Sequence, residues 1–154
     1  MSEKVYNFQR AMNVWMGRGT RKDDRLPFRA MGPVTEMEYL SRKDRYDKQL
    51  VDNMGLAKEK VVSMTALQKL EVLKEYRLDQ YQKLSDAVYC RRGWTQNGIP
   101  TPQKMKSLGF TDKWLLDMLR EKIDADEKAG LNAWGGKYAE GDSPPNKDRK
   151  YWEI

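Results

Sequence analysis

Between Tyr89 and Phe110 the chain reads Tyr-Cys-Arg-Arg-Gly-Trp-Thr-Gln-Asn-Gly-Ile-Pro-Thr-Pro-Gln-Lys-Met-Lys-Ser-Leu-Gly-Phe. No other stretch limits the fold so tightly. Gly93 can close a preceding helix in the left-handed conformation that other residues resist. Asn97-Gly98 is a turn dipeptide. Pro100 holds the chain extended, and Thr101-Pro102 reads as an N-cap followed by proline at the first helical position. Gly109 stops that short helix, and Thr111-Asp112 starts the next. The stretch is therefore an elbow joining two helical regions. A large aromatic fixed in such a loop, here Trp94, is there to be buried.

Helical periodicity flanks the elbow on both sides. Ser2 to Met16 predicts an amphipathic helix capped by Ser2, with Val5, Phe8, Met12 and Trp15 on one core-facing stripe. Thr20 to Pro33 predicts a loop. In it Asp23 and Asp24 could accept from Arg21, Arg25 or Arg29, pairs that matter only if they are buried. Thr35-Glu-Met-Glu38 has the form of a capping box and opens a helical tract to Met54, with room for a break near Ser41 and Gly55 as terminator. Thr65-Ala-Leu-Gln68 is a second capping box. The longest helix follows it, roughly Ala66 to Tyr89 and about 36 Å long, with Leu67, Leu70, Leu73, Leu78, Tyr81, Leu84 and Val88 as its apolar face. A strict seven-residue repeat from Leu67 meets Lys74 and Arg77, which disfavours a coiled coil. Asp112 to Ala129 is the last helix, with Trp114, Leu115, Met118, Leu119 and Ile123 inward.

From Gly130 onward periodicity disappears, yet Trp134, Tyr138, Tyr151 and Trp152 punctuate the segment. Aromatics there suggest a tail strapped across the protein or a partner. Neither an alternating β pattern nor an internal repeat is present. The fold expected is all-α: an irregular bundle of about five helices over residues 1–129, followed by an extended aromatic-rich tail over 130–154.

At 154 residues one domain is expected. Five Trp and eight Tyr argue against disorder in a chain with 39% hydrophobic and 34% charged residues. The first residues resemble no targeting signal and no apolar run approaches a membrane span, so a cytoplasmic protein with no membrane partner is expected. The absences exclude more. With no histidine, the commonest general base and metal ligand is missing. With one cysteine, Cys90, the chain cannot build a disulfide framework, a Cys-rich zinc site or an iron–sulfur cluster by itself. Gly17-Arg-Gly19 lacks the third glycine and preceding strand of a dinucleotide fingerprint. The residues thus offer no catalytic, cofactor-binding or metal site. A net charge of +6 invites a nucleic-acid reading, but 29 basic residues are interleaved with 23 acidic ones, a pattern better explained by mixed solvated surface.

Two segments together resemble the C-terminal region of the aldehyde ferredoxin oxidoreductase family, the tungsten- or molybdenum-pterin enzymes of anaerobes. The first is Glu3-Lys-Val-Tyr-Asn-Phe-Gln-Arg-Ala-Met-Asn-Val, continuing to Arg21, Asp23, Asp24, Leu26, Pro27 and Arg29. The second carries Arg92-Gly93-Trp94, then Gly98-Ile99-Pro100-Thr101 and Leu108-Gly109. The resemblance covers about the first thirty residues and another thirty around the elbow. It implies that these twelve positions, from Arg21 to Pro100, are family-motif or interface residues. The family's Cys-x-x-Cys-x-x-x-Cys group is missing. Asp52-Asn-Met-Gly-Leu-Ala57 only echoes its pterin-binding motif: it falls on the wrong side of Leu26-Pro27, and a helix C-cap explains it better. The resemblance therefore implies a detached terminal domain. It would pack beside catalytic domains supplied in trans, and those would hold tungsto- or molybdopterin and an iron–sulfur cluster. They would oxidise aldehydes, or reduce acids or an aromatic thioester, with ferredoxin-like carriers.

Two other readings stay open. One is a basic helical module binding nucleic acid or a protein. The other is a small acid–base enzyme using Asp23 and Asp24, or Glu36 and Glu38, although adjacent carboxylates point apart on an ordered element. Cys90 beside Arg91 and Arg92 could be a reactive thiol; a structural cysteine at a helix end is the commoner case.

Overall fold

The computed structural model describes residues 2–131, the side chain of Phe28 excepted. The tail aromatics Trp134, Tyr138, Tyr151 and Trp152 lie outside them. Among the described residues there are seven α-helices: α1 Ser2–Trp15, α2 Glu36–Leu40, α3 Lys43–Asp52, α4 Lys58–Ser63, α5 Ala66–Arg91, α6 Pro102–Ser107 and α7 Lys113–Lys128. One 3-10 turn, Phe28–Met31, falls within the expected loop. No strand forms among the described residues; the single isolated bridge pairs Trp94 with Pro100. The all-α expectation holds. The two helices beyond the expected five come from the break after Leu40 and from α4. That short helix begins at Ala57 without a side-chain cap and buries only Val61, so it left no capping or periodic signal.

The chain forms two compact units, Met1–Arg25 with Leu84–Ile154, and Leu26–Lys83. The second is built on α2, α3, α4 and the first part of α5. Its core is Tyr39, Tyr46, Leu50, Val61, Leu70 and Leu73, with Val51, Met54 and Leu56 packed against it. Both capping boxes form, the first drawing in the amide of Val34. Thr65 N–H donates to Gln68 Oε1 and Gln68 N–H to Thr65 Oγ1. Glu38 N–H donates to Thr35 Oγ1, and the Glu38 carboxylate reaches back to accept the amide of Val34 (2.8 Å). Asn53-Met-Gly-Leu is a helix end, as expected: Gly55 N–H and Leu56 N–H return to the carbonyls of Val51 and Leu50. Beneath it Asp47 accepts from Tyr39 Oη (2.7 Å), Lys43 Nζ (2.7 Å) and the buried Lys69 Nζ (3.0 Å).

The first unit packs α1, α6 and α7 around Ala11, Val14, Ile99, Met105, Leu115, Leu116, Met118, Leu119 and Ile123. A satellite cluster of Tyr89, Cys90 and Trp94 sits at the end of α5.

Three expectations about helix faces are overturned. On α1 the stripe of Val5, Phe8 and Trp15 is exposed, and the buried face is Asn7, Arg10, Ala11 and Val14. Polar Asn7 and Arg10 go inward because partners meet them there: Trp94 Nε1–H donates to Asn7 Oδ1, and Arg10 donates to Gly98 O and to Asp24. On α5 Leu67, Leu78, Leu84 and Val88 are exposed. That helix buries Lys69, Leu70 and Leu73 early and Ser85, Ala87, Tyr89 and Cys90 late, so no single stripe serves its whole length. On α7 Trp114 faces out, while Leu115, Met118, Leu119 and Ile123 are inward as expected.

Candidate functional site

The elbow closes in four steps. Gly93 N–H bonds to Cys90 O and Trp94 N–H to Tyr89 O, the paired closure of a Schellman motif. Thr95 N–H then bonds to Ile99 O (2.8 Å) and Gly98 N–H to Thr95 O (2.8 Å), tying the Asn97-Gly98 turn. Thr101 returns to Gly93 O through both N–H (3.1 Å) and Oγ1 (2.9 Å). The same hydroxyl accepts Lys104 N–H as the expected cap of α6. Backbone polar groups in this irregular loop are thus paired without a sheet.

Trp94 is buried against Tyr89 and stacks parallel on Tyr6, with ring centroids 5.7 Å apart. Its indole N–H donates to Asn7 Oδ1 (2.6 Å). Arg92 lies 4.1 Å from the centroid of Tyr6, capping the aromatic stack with a cation.

The centre of the site is Arg10, 9% exposed. Its Nε donates to Gly98 O (2.9 Å), and its two terminal nitrogens grip both oxygens of Asp24 (2.8 and 2.6 Å). The guanidinium carbon lies 4.7 Å from the Trp94 ring centroid. The Tyr89 hydroxyl donates to the same Asp24 oxygen. Burial works against the charge on Asp24, yet the bonds from Arg10 and Tyr89 hold its carboxyl below the usual carboxylate range. Burial and the adjacent carboxylate push Tyr89 well above the usual phenol range. Both forks of the guanidinium are matched, which a lysine could not do.

Arg21 ties the loop to the elbow a second time. Its N–H bonds to Asn97 O, and its Nη1 reaches Asp86 Oδ1 (2.6 Å) and Gln96 O (2.9 Å). Under Gly93 runs the buried Lys104, whose Nζ pairs with Glu3 (2.8 Å) and holds that carboxyl below its usual range.

Of the twelve motif residues, Arg21, Asp24, Arg92, Gly93, Trp94, Gly98, Ile99 and Pro100 meet in this one cluster or its walls. Asp23 is exposed and caps Thr20 N–H (2.9 Å). Leu26, Pro27 and Arg29 belong to the second unit, where exposed Arg29 pairs loosely with Glu38 at 3.6 Å. Where pairing of Asp23 and Asp24 with Arg21, Arg25 or Arg29 was expected, the structure places Arg10 and Tyr89 on Asp24, Thr20 on Asp23 and Asp86 on Arg21. Arg10, Asn7, Tyr89, Asp86 and Lys104 were missed. Asn7 and Arg10 share a helix face with Ala11 and Val14, a weak signal that the apolar stripe outshone.

Gly98 has φ of 81°, and a Cβ there would run into the Arg10 guanidinium and sit 3.0 Å from the Tyr89 ring. Gly98→Ala should therefore cost about 2–4 kcal/mol, from a left-handed backbone plus overpacking. Gly17→Ala, at a similar φ but with nothing within 4 Å of the added carbon, should cost only about 1–2 kcal/mol. Denaturant unfolding of the two variants reads the difference.

Cys90 is buried among Tyr89 and Trp94, and among the described residues no three Cys, Asp or Glu side chains gather as ligands.

This geometry defines a helical domain whose elbow and first helix are locked together by polar and aromatic contacts. The family model described as "Aldehyde ferredoxin oxidoreductase, domains 2 & 3" matches residues 1–110, from α1 through the elbow and α6. The chain belongs to the aldehyde ferredoxin oxidoreductase family. No curated protein and no solved structure matches it.

Proposed function

We propose that this chain is a detached C-terminal domain of an aldehyde ferredoxin oxidoreductase-type enzyme, not catalytic alone, that packs against catalytic domains supplied in trans. Those domains would carry the tungsto- or molybdopterin and the iron–sulfur cluster, and with them the oxidation of aldehydes or reduction of acids. The observation that carries this reading is the family match over residues 1–110 in a chain whose sole cysteine is sealed in an aromatic cluster. Within such an assembly, the Arg10–Asp24–Tyr89 node and the Trp94 elbow shape the domain. Asp23, Pro27 and Arg29, all exposed, are motif residues open to contact.

Affinity purification of the tagged chain from its native host should recover a protein bearing pterin and iron–sulfur, and the purified 154-residue chain should not oxidise aldehydes by itself. Recovery of no such protein, or turnover by the chain unaided, would overturn the reading. A nucleic-acid module draws no support from the site, since Arg10 and Arg21 are committed to Asp24 and Asp86. No helix among the described residues is long and apolar enough to cross a membrane.

A further inference from the structure

The stripe that α1 turns outward continues across α7. Phe8 stacks on Phe110, centroids 5.6 Å apart, and Trp15 meets Trp114 edge-on at 5.7 Å. Yet Val5 is 51%, Phe8 41% and both tryptophans 55% exposed. With 150–250 Å² per aromatic side chain, Phe8, Trp15 and Trp114 alone leave roughly 300–400 Å² of apolar surface open, the size at which a patch marks a contact.

We propose that the chain's own C-terminal segment covers this face, with Tyr151 and Trp152 seated on Phe8, Trp15 and Trp114. Residues 132–154 follow the end of α7, the same helix that carries Trp114 in its first turn. Folding back along its 16 residues requires about 24 Å. At roughly 3.3 Å per extended residue, Trp134 reaches only about 10 Å past Leu131 and falls short. Tyr138 would arrive only with the chain drawn taut. Tyr151 and Trp152, adjacent and some twenty residues along, arrive with slack. They supply two rings to a face that presents exposed ring surface and has none of its own left to close it. The contact needs no catalytic partner, so it stands or falls separately from the assembly in trans.

The test uses the full chain with Glu153→Cys carrying a nitroxide, Cys90 being buried. The indole N–H signals of Trp15 and Trp114 should be lost to paramagnetic broadening, and Tyr151→Ala with Trp152→Ala should restore them. Both changes leave every residue of α1 to α7 as it is. Signals that stay sharp overturn the proposal. So does broadening seen only when isotope-labelled and spin-labelled chains are mixed, which would make the occupant a second copy. Broadening seen only after an added catalytic protein would assign the face to that partner and equally overturn it.

Discussion

Arg10→Leu is expected to lower the unfolding free energy by about 3–5 kcal/mol, the cost of removing one member of a largely buried charge pair. In a chain of this size that corresponds to roughly 10 °C or more in Tm. The guanidinium serves Asp24, Gly98 O and the Trp94 ring at once. Its loss removes the cation that grips both oxygens of Asp24, and Gly98 O loses the Nε–H that donates to it. Leucine restores apolar volume but none of the three. Arg10→Lys keeps the charge without the fork and should recover less than half of the loss. Thermal unfolding followed by circular dichroism reads all three proteins. An Arg10→Leu protein as stable as the parent would mean that the node is ornamental.

Asp47→Ala should have the second large effect, about 3 kcal/mol, and it should appear in the other unit. Asp47 is the common acceptor for Tyr39, Lys43 and Lys69, and Lys69 is 4% exposed. Alanine strands a buried ammonium and a buried phenol together. Burial opposes ionisation of Asp47, but the bonds from Lys43, Tyr39 and Lys69 hold its carboxyl below the usual carboxylate range. Because the folded carboxyl is the stronger acid, its contribution is present in full above the unfolded value. It is lost as pH falls through the depressed folded value. Stability of the parent should therefore drop below about pH 4 more steeply than that of Asp47→Ala. Amide exchange should lose protection over residues 36–73 in the variant. Protection unchanged there would refute the assignment.

How much of this was legible in the sequence depended on whether a signal was local. Capping boxes at Thr35 and Thr65, the Thr101-Pro102 start of α6 and the Gly93 stop of α5 are local chemistry, and each formed where it was read. The resemblance also placed the chain in its family. The node was not legible, because Arg10 joins Asp24, Tyr89 and Gly98 across separations of 14 to 88 residues and only the closed elbow brings them together. The face of α1 was misread for a related reason. Periodicity reports where apolar residues align; it does not report that a rival face carries an arginine with a complete set of partners. Likewise Leu67, Leu78, Leu84 and Val88 align on α5, yet the helix buries different residues at its two ends.

The burial of Cys90 at 2% exposure has a practical consequence. A thiol sealed beneath Tyr89 and Trp94 is out of reach of alkylating reagents and oxidants while the elbow is shut. The rate at which it becomes modifiable is then a clock for elbow opening, and the chain carries that clock without any engineered probe.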